Sequence, residues 1–149
     1  LALHLFQAMP SANLKPNLVS YNAVLDAACH RSVGYTLFLQ ALHANFYDHL
    51  LHKGSTTLDL HEMSPGSALL AVKWWLSVVL PALLHPQRRQ TCTIVTGWGR
   101  SRPRWRKSDL QASVKDLLQR RKIIAKVTPG NRGSLDLRLN RQDLRPPRP

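Results

Sequence analysis

Seventeen residues, Ala68 to Leu84 (ALLAVKWWLSVVLPALL), carry a single charge, Lys73, and the segments on either side of them limit the folds open to this chain. The run is slightly short for a membrane span, and it holds Lys73 near its middle and Pro81 near its end. It reads as a buried helix beside a sheet, and no membrane is expected as a partner. Before it, Thr56 to His61 alternates, with Leu58 and Leu60 on one face and Thr57, Asp59 and His61 on the other. Ser64-Pro65 then supplies an N-cap and a first-turn proline. After it, Thr91 to Thr96 is a β-branched run. A strand, a helix and a strand in this order predict two parallel strands with a right-handed crossover. The loops after both strands then leave the same edge of the sheet, where open α/β folds hold their ligands. Asp59, His61 and the turn Gly97-Trp98-Gly99 are expected to meet there.

The remaining segments fit around this unit. Residues 1–9 and about Val19 to His30 have helical spacing, with a turn from Ser11 to Asn17 between them. A third apolar segment runs from about Tyr35 to Leu51. Short helices on short turns predict a stacked helical-hairpin array over residues 1–52. Beyond the second strand comes a basic loop, Arg100 to Lys107. Ser108 caps a helix with Leu110, Val114, Leu117, Leu118 and Arg121 along one side. Ile123–Val127 and Ser134–Leu139 read as two more strands. The expected fold class is α/β: a helical-hairpin repeat remnant, then a two-layer β-α-β-α-β-β domain over 56–139 with a four-stranded mixed sheet. Residues 140–149 are expected to form a disordered basic tail. The chain opens at Leu1, inside an apolar pattern and without an initiator Met, which reads as a piece of a longer protein.

Charge divides the chain in two. Residues 1–87 hold four basic and four acidic residues, whereas residues 88–149 hold 17 basic and four acidic ones, so the second part carries the whole net charge of +13. Such an imbalance fits a polyanionic partner, nucleic acid above all, or else a solvated basic segment. Cys29 and Cys92 are far apart and form no C-x-x-C pattern, which argues against a disulfide framework and a zinc knuckle.

Two stretches resemble known families. ALHLFQAMPSANLKPNLVSYNAVLDAAC, about residues 2–30, is similar to the second helix of one pentatricopeptide repeat running into the first helix of the next. Residues 56–139 resemble the Smr (small MutS-related) domain. Its L-D-x-H motif stands as Leu58-Asp59-Leu60-His61, its T-G-x-G motif as Thr96-Gly97-Trp98-Gly99, and GNRGSLDLRL resembles its closing turn and strand. Arg132 stands where that turn usually has Pro, and Glu62 where many Smr domains have Gly. Each tetrapeptide alone is an ordinary strand end; in this order and on this framework they reinforce one another.

These resemblances imply an RNA-binding protein, with single-stranded RNA the expected partner and DNA less so, acting in a plastid or mitochondrion. They imply an endoribonuclease on RNA chosen by repeats. The alternatives are a non-catalytic RNA-binding factor for organelle gene expression and a structure-selective DNA-nicking domain. His61 titrates near neutral pH and can move protons to and from phosphodiester oxygens. Asp59 can orient the imidazole or help hold a divalent metal such as magnesium; the metal requirement stays open. Gly97 and Gly99 allow backbone N–H groups near a phosphate, and Thr96 adds a hydroxyl. Arg100, Arg102 and Arg104, with Trp98 and Trp105 interleaved, can neutralise phosphates and stack on bases. Asn22 stands where these repeats place a base-reading residue.

Overall fold

A computed structural model describes residues 1–97 and 109–145 of the chain. Helices fill its first third: α1 (Ala2–Ala8), α2 (Leu18–Ala28) and α3 (Ser32–His43). The Asn17 side chain accepts from the Ser20 N–H at 2.9 Å, and the Ser20 hydroxyl accepts from the Asn17 N–H at 2.7 Å, so α2 starts on a reciprocal cap. Rings join these helices. Phe6 meets Tyr21 edge-on at 4.9 Å, and Tyr21 meets Phe46 at 5.0 Å.

The second region is a mixed sheet with two helices. Its strands are β1 (Leu51–His52), β2 (Thr57–Asp59), β3 (Gln90–Val95), β4 (Ala125–Thr128) and β5 (Asn131–Leu139), in the order β1-β2-β3-β5-β4. β2 and β3 are parallel, with Leu58 opposite Ile94, as the crossover argument requires; every other pair is antiparallel. The sheet therefore has five strands, not four. The extra one comes from the end of the segment read as helical. Asn45 enters the left-handed region just past α3, and Lys53, Gly54 and Ser55 take positive φ in succession, folding Leu51–His52 back onto Leu58–Thr57. β2 and β3 deliver Leu58, Cys92 and Ile94 to the core, and β5 delivers Leu135, Leu137 and Leu139.

The long apolar run is a helix, α4, from Pro65 to Leu83. Pro81 lies in its last turn. The helix widens to π-type winding over Trp75–Val79, where the Leu80 N–H reaches back to the Trp75 carbonyl, and then resumes over Leu80–Leu83. The wider turn accommodates a ring that has no N–H and would crowd the preceding turn of a regular α-helix. By length and composition α4 is long and apolar enough to cross a membrane, with a mean hydropathy of 1.5, but half of that window is buried within this fold. Trp75, Leu76 and Leu80 lie in the core, and Trp74 meets Phe38 of α3 at 6.1 Å. Helix α5 (Asp109–Arg120) buries Leu110, Val114 and Leu118.

One continuous apolar cluster runs from Tyr21 and Phe38 through Trp75 to Leu137, so the helical region and the α/β region share a core. They pack tightly at Gly66, in the first turn of α4. Its N–H donates to Asp26 Oδ1 at 2.6 Å, and a Cβ there would lie 2.5 Å from the Asp26 Cα and 2.9 Å from the Leu25 carbonyl oxygen. Backbone cannot swing aside as a flexible side chain can. Gly66→Ala should therefore lower stability by about 1–3 kcal/mol, the usual range for overpacking. Urea denaturation reads this directly, and an unchanged midpoint would contradict the close packing of α2 on α4.

The tail expected to be disordered is structured up to Arg145. Arg141–Leu144 form a 3-10 turn capped reciprocally by Asn140 and Asp143. The turn is fastened to the loop before β3, since Arg89 makes two hydrogen bonds of 3.1 Å to the Asp143 carboxylate and Asn140 Nδ2 donates to the Gln87 carbonyl.

Candidate active site

His61 stands just past the end of β2, at the carboxyl edge of the parallel pair. The ladder runs one bond further than the strand, with Leu60 N–H on the Val95 carbonyl at 2.7 Å. Leu60 is fully buried, and the alternation of the strand turns Asp59 away from the core beside it. Asp59 Oδ1 lies 2.6 Å from His61 Nδ1 and also accepts the His61 backbone N–H at 3.1 Å. The carboxylate thus grips both the ring and the main chain of the same residue. It leaves Nε2 as the ring nitrogen available to a substrate, with Glu62 Oε1 3.5 Å away.

The two turns after the parallel strands do meet. Gly97 has φ +81°, and a Cβ there would be 3.2 Å from His61 Cβ and 3.5 Å from His61 Cα. Glycine is needed twice over, for its backbone conformation and for this contact. Groups of two of the residues expected to meet phosphate are engaged in hydrogen bonds within the fold, however. The N–H groups of Thr96 and Gly97 both donate to the Gly133 carbonyl, at 2.8 and 3.0 Å. The buried Thr96 hydroxyl donates to the same oxygen at 3.2 Å and accepts from Gln111 Nε2 at 3.1 Å. Thr96 and the Gly97 N–H therefore fasten β3 to β5 and to the first turn of α5. Asn22 is occupied too, its carboxamide oxygen accepting from the Tyr47 hydroxyl at 2.6 Å. Trp98, Gly99, Arg100, Arg102, Arg104 and Trp105 lie outside the described residues.

Sequence reasoning passed over three participants. His52, on β1, places Nε2 3.3 Å from Asp59 Oδ2. The His49 ring stands edge-on to that of His61 at 6.1 Å. Gln111 ties the Thr96 turn to the Arg132 carbonyl at 2.9 Å, which brings the exposed Arg132 to this edge. The histidines were hidden because only the β1–β2 hairpin brings them here.

The electrostatics follow from the contacts. Burial pushes the Asp59 carboxyl up, but hydrogen bonds from the His61 ring and N–H, with the nearby His61 and His52 charges, outweigh it and hold Asp59 below its ordinary range. The hydrogen bond to Asp59 raises His61 above its usual 6.5; slight burial opposes this, and the charges of Asp59 and Glu62 add to it. The sign of the linkage follows. The lowered Asp59 contributes stability that disappears as pH falls through its folded value. The raised His61 contributes stability that is fully present below 6.5 and disappears as pH rises through its folded value. The stability gap between the wild type and His61→Ala should therefore be widest at mildly acidic pH and narrow as pH rises through the folded value of His61. Denaturant midpoints at pH 5.5 and 8.5, read as roughly either side of an ordinary histidine, test this, and a gap that widens with pH would contradict it.

Among the described residues the donor set around Asp59 does not suit magnesium. Among the described residues no three His, Cys, Asp or Glu side chains are placed to hold a metal. Asp59, the most central carboxylate, already serves two imidazoles, whereas magnesium requires several oxygen ligands in near-octahedral geometry. Cys92 is buried, and burial pushes its thiol up to about 11, so it acts as a neutral core residue. Comparison with family models, with characterised proteins and with solved structures returned no match.

Proposed function

We propose that this chain binds single-stranded RNA and cuts it at the Asp59–His61 edge, as the junction of a pentatricopeptide array with an Smr-type domain. The observation that carries the reading is the convergence of Asp59, His61 and Gly97 from two parallel strands onto one exposed edge. Asp59 fixes the imidazole with Nδ1 toward the protein, and His61 is 44% exposed, so Nε2 is within reach of solvent and substrate. A phosphodiester can be cut there by proton transfer alone. In its neutral form His61 Nε2 takes a proton from the attacking hydroxyl; in its protonated form it gives one to the departing oxygen. The hydrogen bond to Asp59 raises His61 above an ordinary histidine and so favours its protonated form. RNA is favoured over DNA by the resemblance of residues 2–30 to repeats that read single strands, and because its 2′-hydroxyl offers an internal nucleophile.

The binding half of the proposal rests on charge. All of the excess positive charge follows residue 87, and Arg100, Arg102 and Arg104 come directly after the turn that touches His61. Replacing these three with Ala should weaken RNA binding and flatten the salt dependence by roughly 0.7 per lost phosphate contact. Filter binding across a salt series measures the slope, and an unchanged slope would remove this segment from the phosphate contacts. One observation favours a binding-only reading beside the catalytic one: Glu62 lies near the very nitrogen that must move the proton. On that reading the protonated His61 is a phosphate ligand.

A further inference from the structure

We infer that His52 is a positioning residue for this site: from the neighbouring strand it holds the second oxygen of Asp59, and so fixes both the orientation and the basicity of His61. The inference rests on the Asp59–His61 site, but it stands whether that site cuts RNA or only binds it.

The geometry begins with the hairpin. His52 pairs with Thr57 across β1 and β2, and Asp59 is two residues further along the same face, so His52 and Asp59 are diagonal neighbours within reach of a long polar side chain. The two carboxylate oxygens are then divided between two rings, Oδ1 taking His61 Nδ1 at 2.6 Å and Oδ2 facing His52 Nε2 at 3.3 Å. A carboxylate held at one oxygen can rotate about its Cβ–Cγ bond and carry the imidazole with it. A ring within ion-pair distance of the other oxygen opposes that rotation by its charge. Asp59 itself is only 15% exposed, so little water competes for Oδ2, whereas the rings that hold it are open on their outer sides. The hairpin is fixed in turn from the core, because the indole N–H of the fully buried Trp75 donates to the Ser55 carbonyl at 3.0 Å.

This arrangement sets proton affinity as well as direction. A donor on Oδ2 draws charge from the oxygen that faces His61 and lessens the pull of Asp59 on the His61 proton. The other groups facing His61 are Glu62, 3.5 Å from Nε2, and the His49 ring, which has Asp48 3.9 Å from its Nδ1. Among these groups His52 is the one whose ring nitrogen faces Asp59 Oδ2, at 3.3 Å.

Histidine-labelled whole protein tests this by NMR, without substrate. In the wild type, long-range nitrogen–proton spectra at high pH should show neutral His52 carrying its proton on Nε2 and neutral His61 carrying its proton on Nδ1. In His52→Ala, the His61 titration should move to higher pH. In His52→Gln, whose carboxamide can still donate to Oδ2, it should return toward the wild-type curve. If the protein cleaves RNA, His52→Ala should lower kcat while leaving KM unchanged. Neutral His52 with Nε2 unprotonated in the wild type would overturn the inference even if the variants failed to fold, because a bare nitrogen cannot donate to a carboxylate. Superimposable His61 curves in the wild type and His52→Ala would overturn it as well. A wild type that shows the two tautomers and the shift but cuts no RNA would refute the nuclease reading and leave the positioning role of His52 in place.

Discussion

His61→Ala should slow RNA cleavage by about a hundredfold or more while leaving RNA affinity nearly intact. The expectation follows from where the ring sits. Its Nδ1 is held by Asp59 and its Nε2 is turned outward beside Glu62, so alanine removes the proton carrier and leaves the strand and the Gly97 turn in place. Asp59→Asn should also slow cleavage, by a different route. An amide carries no charge to hold the imidazolium, and it can present its NH2 to the ring and select the wrong tautomer. Single-turnover rates on a single-stranded RNA, beside affinities from filter binding, separate the two effects. Equal loss of rate and affinity in His61→Ala would mean that the ring contributes binding alone.

Trp75→Ala should be the most damaging single change to stability, lowering it by about 3–5 kcal/mol. That is a large share of the 5–15 kcal/mol typical of a domain. The side chain is fully buried in the apolar cluster, at the start of the π-wound turn of α4. The change also strips the Ser55 carbonyl of its indole partner and loosens the hairpin that carries His52. Trp75→Phe keeps most of the volume and loses the hydrogen bond, so it should cost distinctly less. Urea denaturation followed by far-UV circular dichroism orders the three proteins. A Trp75→Ala midpoint close to that of the wild type would mean that the helical and α/β regions are not joined through this residue.

Much of this architecture is legible in the sequence because it rests on local pattern. The alternation at Thr57–His61, the apolar run of α4, the β-branched β3 and the spacing of Leu110, Val114 and Leu118 each reflect burial on one face, and the structure buries those faces. The meeting of Asp59 and His61 with Gly97 follows from strand order alone. What the sequence hides depends on partners distant along the chain. Leu51-His52 continues an apolar stretch and looks like the end of a helix, and only the left-handed turn at Lys53–Ser55 makes it a strand. Lys and Ser do not advertise that conformation, so His52 and His49 stayed invisible as neighbours of the site. Thr96 and Gly97 look like phosphate ligands until Gly133, 37 residues after Thr96, takes their hydrogen bonds. The tail looks like a disordered basic segment because the capping pair of Asn140 and Asp143 gains its value from contacts with Gln87 and Arg89. Pro81 signals a break that the helix absorbs by widening instead.

The central claim is that the Asp59–His61 edge cuts RNA, and cleavage by the purified protein tests it most directly. An end-labelled single-stranded RNA and a DNA of the same sequence would each be incubated with the wild type, with His61→Ala, and with a mock preparation from cells lacking the gene, with and without a chelator. The account predicts RNA fragments from the wild type that survive the chelator, a rate roughly a hundredfold lower for His61→Ala, and no cutting of the DNA. RNA cleavage no faster than in the mock preparation, or cleavage that His61→Ala leaves unchanged, would contradict it.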